Sequence, residues 1–156
     1  MASELVSEAY GLDFGDYLQW PIDIRHWPQL TPQERSHGPA LAQLFRYRRP
    51  TPIASSSRPD YWRICLYDPA ILAAAEREKL SLNPFLCYIL THEFIHVARF
   101  IRFFEIFGLD DSRRAAEEAK VGLETEKLLA GLTISGLDKI LELYRQGSLA
   151  LDDNLV

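Results

Sequence analysis

The chain has 156 residues and a mass of 17.9 kDa, the size of one domain with room for a substantial core. Hydrophobic residues make up 47% and charged residues 25%, a composition that excludes an intrinsically disordered chain. The formal charge is 17 − 22 = −5 at pH 7, so the phosphate backbone of a nucleic acid is not a favoured partner.

Proline and glycine divide the first half of the chain into short segments. TPQER is typical of a helix start, with Thr31 as the N-cap and Pro32 at the first helical position. DYWRICLYD, residues 60–68, predicts a strand because aromatic and β-branched residues fill it. PTPIAS, residues 50–55, is its expected partner strand.

From Asp68 onward the pattern is helical. Four helices are predicted. The first begins at Asp68-Pro69, and the second runs from Phe85 to Phe107 and ends before Gly108. The third runs from about Asp110 to Leu132, and the fourth from about Ser135 to Gln146. We find no repeat and no linker. The prediction is one mainly α (α+β) domain over residues 1–156, with a small two-stranded β element and helices in more than half of the chain.

The helix predicted over residues 85–107 is apolar enough to raise the question of a membrane. Of its 23 residues 16 are apolar, but no apolar run exceeds six residues. A membrane-spanning helix needs about 18. We therefore predict no membrane partner, and a central helix that its neighbours cover on most sides.

Neither the N-terminus nor the cysteines point to an oxidising compartment. The first residues, MASELVSEAY, lack the basic and then apolar segments of a signal peptide. Cys65 and Cys87 have no zinc-site or redox spacing. These features predict a cytoplasmic protein with reduced thiols, and they carry no sign of an oligomeric state.

The central helix contains HEFIH, in which His92 and His96 are one helical turn apart and leave the same face. Burial of two imidazoles is costly without a partner, and a divalent cation would supply one. Glu93 lies about 100° around the helix, where its carboxylate can take a proton from a metal-bound water. The pattern predicts Zn²⁺ bound by His92 and His96, with Glu93 as the catalytic base. Two core histidines held by hydrogen bonds are the non-functional alternative.

A third metal ligand is expected because catalytic zinc sites use three protein ligands. No histidine follows His96, so the third ligand should be a carboxylate or come from upstream, and the next helix offers carboxylates. Glu118 is preferred because a face of small side chains surrounds it, at Ala115, Gly122 and Thr125. Glu117 and Glu124 point toward lysines in the predicted helix and are expected in solvent, with Glu117 as the next candidate ligand.

HEFIH followed by a glutamate on the next helix resembles the gluzincin type of zinc metallopeptidase. The likeness covers roughly residues 83–130, and Glu118-Ala119 matches the thermolysin-like members, which place alanine after the ligand glutamate. It implies a zincin-like fold, zinc bound by His92, His96 and Glu118, and hydrolysis of a peptide or protein substrate. It also implies that YWRICLY is an edge strand that binds substrate.

Some features differ from that family. The extended motif with a third histidine is absent, and Glu118 follows His96 by 118 − 96 = 22 residues, near the short end for gluzincins. No downstream histidine is present to stabilise an oxyanion, and Tyr144 is the only tyrosine after the motif. A zinc-bound but inactive interaction module is therefore an alternative function.

Two further hypotheses concern charged residues. Arg99 returns to the face of His92 one turn beyond His96, either as a clamp for a substrate carboxylate or in an ion pair with Glu118 or Asp111. Glu93–His96 also fits the Glu-x-x-His pattern of di-metal carboxylate bundles. A second copy at Glu34–His37, with Glu78 and Glu118, would complete that ligand set.

Overall fold

The computed structural model describes residues 1–15, 21–36, 40–48, 61–103 and 110–149. Helices hold 63% of these residues, so the prediction of a mainly helical fold is confirmed. The α-helices are α1 (Ala2–Tyr10), α2 (Pro32–Arg35), α3 (Asp68–Glu78), α4 (Leu82–Arg102), α5 (Asp111–Ala130) and α6 (Leu137–Arg145), with a short 3-10 helix at Trp27–Gln29. The strands are β1 (Ile22–His26), β2 (Ala42–Tyr47) and β3 (Tyr61–Leu66).

Two of the predicted helix starts have a side-chain cap. Thr31 Oγ1 accepts a hydrogen bond from the backbone N–H of Glu34 at 3.2 Å, as expected for the N-cap of α2. Asp110 does the same for α5 through the N–H of Arg113 at 2.9 Å. The helix predicted to reach Phe107 ends at Arg102 instead, and Gly108 lies outside the described residues.

The β element is larger than predicted, because three strands form a mixed sheet in the order β1-β3-β2. β1 pairs with β3 in parallel and β2 pairs with it antiparallel. The partner strand predicted at residues 50–55 lies outside the described residues. β3 is therefore the central strand, and the expectation that it is a substrate-binding edge strand is wrong, because both of its edges are already hydrogen-bonded.

The two faces of β3 meet different surroundings. Trp62 and Ile64 pack with α4 in one apolar cluster, and the Trp62 ring stacks on Phe100 at 5.5 Å between centroids. Arg63 and Cys65 alternate with them and therefore point to the opposite face. The sheet thus separates α4 from the residues that pack against Arg63 and Cys65 on its other face.

α4 is the central helix that its apolar pattern predicts. Fourteen of its 21 residues are buried. Its first half packs with α3 and α6, and its second half packs with α1 and the sheet. None of the helices in the described segments combines the length and apolarity needed to span a bilayer. The motif histidines thus lie at the middle of the core.

Candidate metal centre

α4 presents both motif histidines to one point in the core. His92 is 0% exposed and His96 is 8% exposed. One helical turn separates them, so their ring centroids are 4.8 Å apart and their Nε2 atoms are 3.1 Å apart. Two imidazole nitrogens at this distance need a shared proton or a cation between them.

α5 brings Glu118 to the same point. Its Oε1 lies 2.7 Å from His92 Nε2, and its Oε2 lies 2.8 Å from His96 Nε2. Ligands about 2.0–2.2 Å from a tetrahedral zinc ion would be about 3.3 Å apart, so a small outward movement of these atoms accommodates the ion. The three residues named from the sequence are therefore brought together as one possible ligand set.

Burial and the contact with the carboxylate shift the pKa values of this cluster in opposite directions. Burial would raise the pKa of Glu118, but its contacts with the two histidines outweigh burial and lower it. Burial lowers the pKa of His92, whereas for His96 the contact with Glu118 outweighs burial and raises the pKa. These directions favour an ionised Glu118 beside the two imidazoles, the charge state in which a carboxylate binds a metal ion.

Thr125 on α5 fixes the tautomer of His92. Its Oγ1 donates to the carbonyl oxygen of Val121 at 2.7 Å and lies 3.4 Å from His92 Nδ1. Because the hydroxyl proton is used, Thr125 can only accept from an Nδ1–H. His92 Nε2, which faces Glu118 Oε1 at 2.7 Å, is then the ring nitrogen that a metal ion would bind, in place of a proton shared with the carboxylate.

Glu93, predicted as the base, is buried beside His92 on α4. Its charge raises the pKa of His96, so the carboxylate lies within electrostatic reach of the cluster. The structure therefore leaves Glu93 close to the three candidate ligands, as the spacing predicts, without making it one of them.

Two tyrosines complete the surroundings of His92. The Tyr144 ring on α6 lies 6.3 Å from the His92 ring and 5.5 Å from Tyr88. Tyr88 is fully buried, and its hydroxyl has no hydrogen-bond partner among the described residues. Sequence analysis missed Tyr88, although its position one turn before His92 on the same face could have identified it.

Gly122 provides the space that Tyr144 occupies. A Cβ atom at this position would lie 2.2 Å from Tyr144 Oη and 2.9 Å from two ring carbons. The small face predicted on α5 therefore has a definite use: one turn after Glu118, the missing side chain lets Tyr144 reach the helix backbone.

Gly122→Ala should destabilise the protein. Alanine gains about 1 kcal/mol of helix propensity over glycine, but the overpacking against Tyr144 costs typically about 1–3 kcal/mol. Urea unfolding should show a net loss in the wild-type background and a gain of up to about 1 kcal/mol in a Tyr144→Ala background, where the clash is absent. Equal effects in the two backgrounds would mean that Tyr144 does not fill this space.

The prediction that Glu117 lies in solvent is wrong, because its side chain is buried in an ion pair. Arg99 Nε donates to Glu117 Oε1, and Arg99 Nη2 donates to Oε2 at 3.1 Å. Arg99 therefore has an acidic partner, as one of the two hypotheses proposed, but the partner is neither Glu118 nor Asp111. Because Arg99 occupies both oxygens of Glu117, this carboxylate is not a candidate metal ligand.

The described residues do not bring the proposed di-metal ligands together. Glu34 is buried on the other face of the sheet, where its carboxylate accepts hydrogen bonds from Arg63 at 2.9 Å and from the Cys65 thiol at 3.2 Å. His37 lies outside the described residues. Within the described segments, His92, His96 and Glu118 are the one group of three side chains that could hold a metal.

Comparison with protein-family profiles, curated proteins and solved structures gives no match for the chain. The likeness to gluzincins rests on His92, Glu93, His96 and Glu118-Ala119.

Proposed function

We propose that the protein is a zinc-dependent hydrolase with a zincin-like site, cleaving peptide bonds with Glu93 as the general base. One observation carries the proposal: two imidazole nitrogens and a carboxylate converge within 3.1 Å of one another in the core. Two nitrogens and one carboxylate are a usual donor set for catalytic zinc, with a fourth position left for water.

Each residue of the proposed site has a separate role in metal binding or proton transfer. His92, His96 and Glu118 would hold the ion, and Thr125 keeps His92 in the tautomer that offers Nε2. When bound, zinc lowers the pKa of a bound water toward about 7 and polarises the substrate carbonyl. Glu93 would be the group that accepts a proton from the attacking water and passes it to the nitrogen of the leaving amine.

Tyr144 is the candidate for stabilising negative charge on the substrate carbonyl oxygen. Its ring lies against His92, and a phenol hydroxyl is a hydrogen-bond donor at neutral pH. The Tyr88 ring lies 6.3 Å from the His92 ring, and its buried hydroxyl is a second candidate donor. These two residues supply the role for which no downstream histidine exists.

The peptide substrate is supported by the motif resemblance. Because β3 is enclosed by its neighbours, we propose that an extended substrate pairs with the outer edge of β2, which is an edge strand among the described strands and packs against α4. Main-chain hydrogen bonds to β2 would then hold the substrate beside the motif helix.

A zinc-bound interaction module without activity is the second candidate, and the burial of the ligands favours it. His92 is inaccessible, and only 12% of the Glu118 side chain is exposed, so the described residues leave a substrate little access. In that case the ion would stabilise the fold and a surface elsewhere would carry the function.

Hydrolysis by the wild-type protein separates the two candidates. Protein purified without added metal should contain zinc and cleave members of a panel of short peptides. A chelator should abolish cleavage, and added Zn²⁺ should restore it. Zinc without cleavage of any peptide would favour the interaction module, and a metal-free protein would contradict both candidates.

A further inference from the structure

We infer that Arg99 is a positioning residue of the metal centre, because its grip on Glu117 fixes the rotation of α5 that turns Glu118 toward the histidines. The inference rests on the proposed metal site and goes beyond it. It explains why one of two adjacent glutamates faces the ligands and the other does not.

Arg99 lies on the ligand face of α4, one turn beyond His96. Its planar guanidinium binds both oxygens of Glu117, so the contact fixes the direction of the carboxylate as well as its distance. Both side chains are mostly buried, with 15% and 10% exposed. Such a pair is screened less by solvent than a surface pair.

α5 on its own does not distinguish the two glutamates. Adjacent residues are about 100° apart around a helix, so rotation about its axis would exchange Glu117 for Glu118 opposite the histidines. Arg99 is a permanent cation and cannot serve as a metal ligand. By taking Glu117, it leaves Glu118 for His92 and His96.

The contacts between α4 and α5 form an ordered ladder. Arg99 meets Glu117, His96 and His92 meet Glu118, and His92 meets Thr125. The order shows that the two helices run antiparallel. On α5, Glu117 and Thr125 form the contacts at the two ends of this ladder, and neither is a candidate metal ligand. Glu118 is therefore held between two fixed points on the helix.

Arg99 is itself held in place from the other side. The Tyr10 side chain at the end of α1 lies close enough to raise the pKa of Arg99, and the guanidinium lies 5.1 Å from the centre of the Phe103 ring. A guanidinium with three such neighbours has few alternative rotamers. It can therefore act as a fixed reference for α5.

The test is a double variant, Arg99→Gln with Glu117→Gln. It removes both charges, so the net charge near the site stays the same and a change in metal affinity reports position. We expect zinc affinity, measured by competition with a chromophoric chelator, to fall about 10–100-fold. The visible absorption spectrum of the Co²⁺-substituted protein should also change, because the ligand geometry changes.

The matched control is Arg145→Gln with Glu126→Gln. This pair joins α6 to α5 two turns beyond Glu118 and is equally neutral in total charge. Its removal should leave zinc affinity within about twofold of wild type, since distant sites act independently. Arg99→Lys, which keeps the charge but loses the two-point contact, should be intermediate between wild type and the Arg99–Glu117 double variant.

The inference is overturned if the Arg99–Glu117 double variant binds zinc as tightly as wild type and keeps its Co²⁺ spectrum, even if its thermal stability falls. A wild-type protein that binds no zinc would instead overturn the metal site itself. Should the double variant fail to fold, Arg99→Lys and Glu117→Gln give the same comparison one residue at a time.

Discussion

Alanine at His92 or at His96 is expected to leave the purified protein without bound zinc, whereas the wild type should hold close to one equivalent per chain. Each substitution removes one of three ligands, and the remaining nitrogen and carboxylate cannot hold the ion against water. Elemental analysis of protein purified without added metal measures the effect directly.

His26→Ala is the matched control for these variants. His26 is an exposed histidine whose Nδ1 lies 2.9 Å from Asp68 Oδ2, outside the candidate metal centre. It should keep the wild-type zinc content. Equal zinc retention in His26→Ala, His92→Ala and His96→Ala would rule out the site.

Glu93→Gln should lower the rate of peptide hydrolysis by at least about 10², while zinc content stays at the wild-type level. The amide has nearly the shape of the carboxylate but cannot accept the proton of a metal-bound water. Because Glu93 is not among the three ligands, the substitution leaves the metal donors intact. Rates from purified wild type and variant, at equal zinc occupancy, give the comparison.

A surface glutamate provides the control for that experiment. Glu76 is exposed on α3, away from the ligand set, and Glu76→Gln should hydrolyse peptides at the wild-type rate. Chelator-sensitive cleavage that survives Glu93→Gln would point to a contaminant or to a different base. The inactive module predicts no cleavage by any of these proteins.

Local spacing was sufficient to predict the parts of the site that lie on one helix or on one helix face. His92 and His96 are one turn apart, and any α-helix brings them to the same side. The small residues after Glu118 were informative as well, since Gly122 and Thr125 are both buried beside the site. Ala115, before Glu118, is exposed, so the small face extends in one direction only.

Contacts between distant segments were less accessible from the sequence. Glu117 has Lys120 three residues away, which favours a solvated position, but Arg99 on another helix overrides that preference. β1 and β2 were missed for a similar reason. A short strand such as IDIRH is stabilised by its pairing with β3, and this pairing cannot be predicted from the sequence of either strand alone.

The contacts between α4 and α5 imply that a bound metal would also stabilise the fold. An ion that bridges His96 and Glu118 would tie together residues 118 − 96 = 22 positions apart. In the chain-entropy treatment of cross-links, closing such a loop removes freedom from the unfolded chain worth about 3 kcal/mol. Zinc would therefore stabilise the folded chain as a cross-link in addition to its catalytic role. A chelator would lower the stability of the protein as well as its activity. Loss of activity at a temperature where the metal-free chain stays folded would report on chemistry alone.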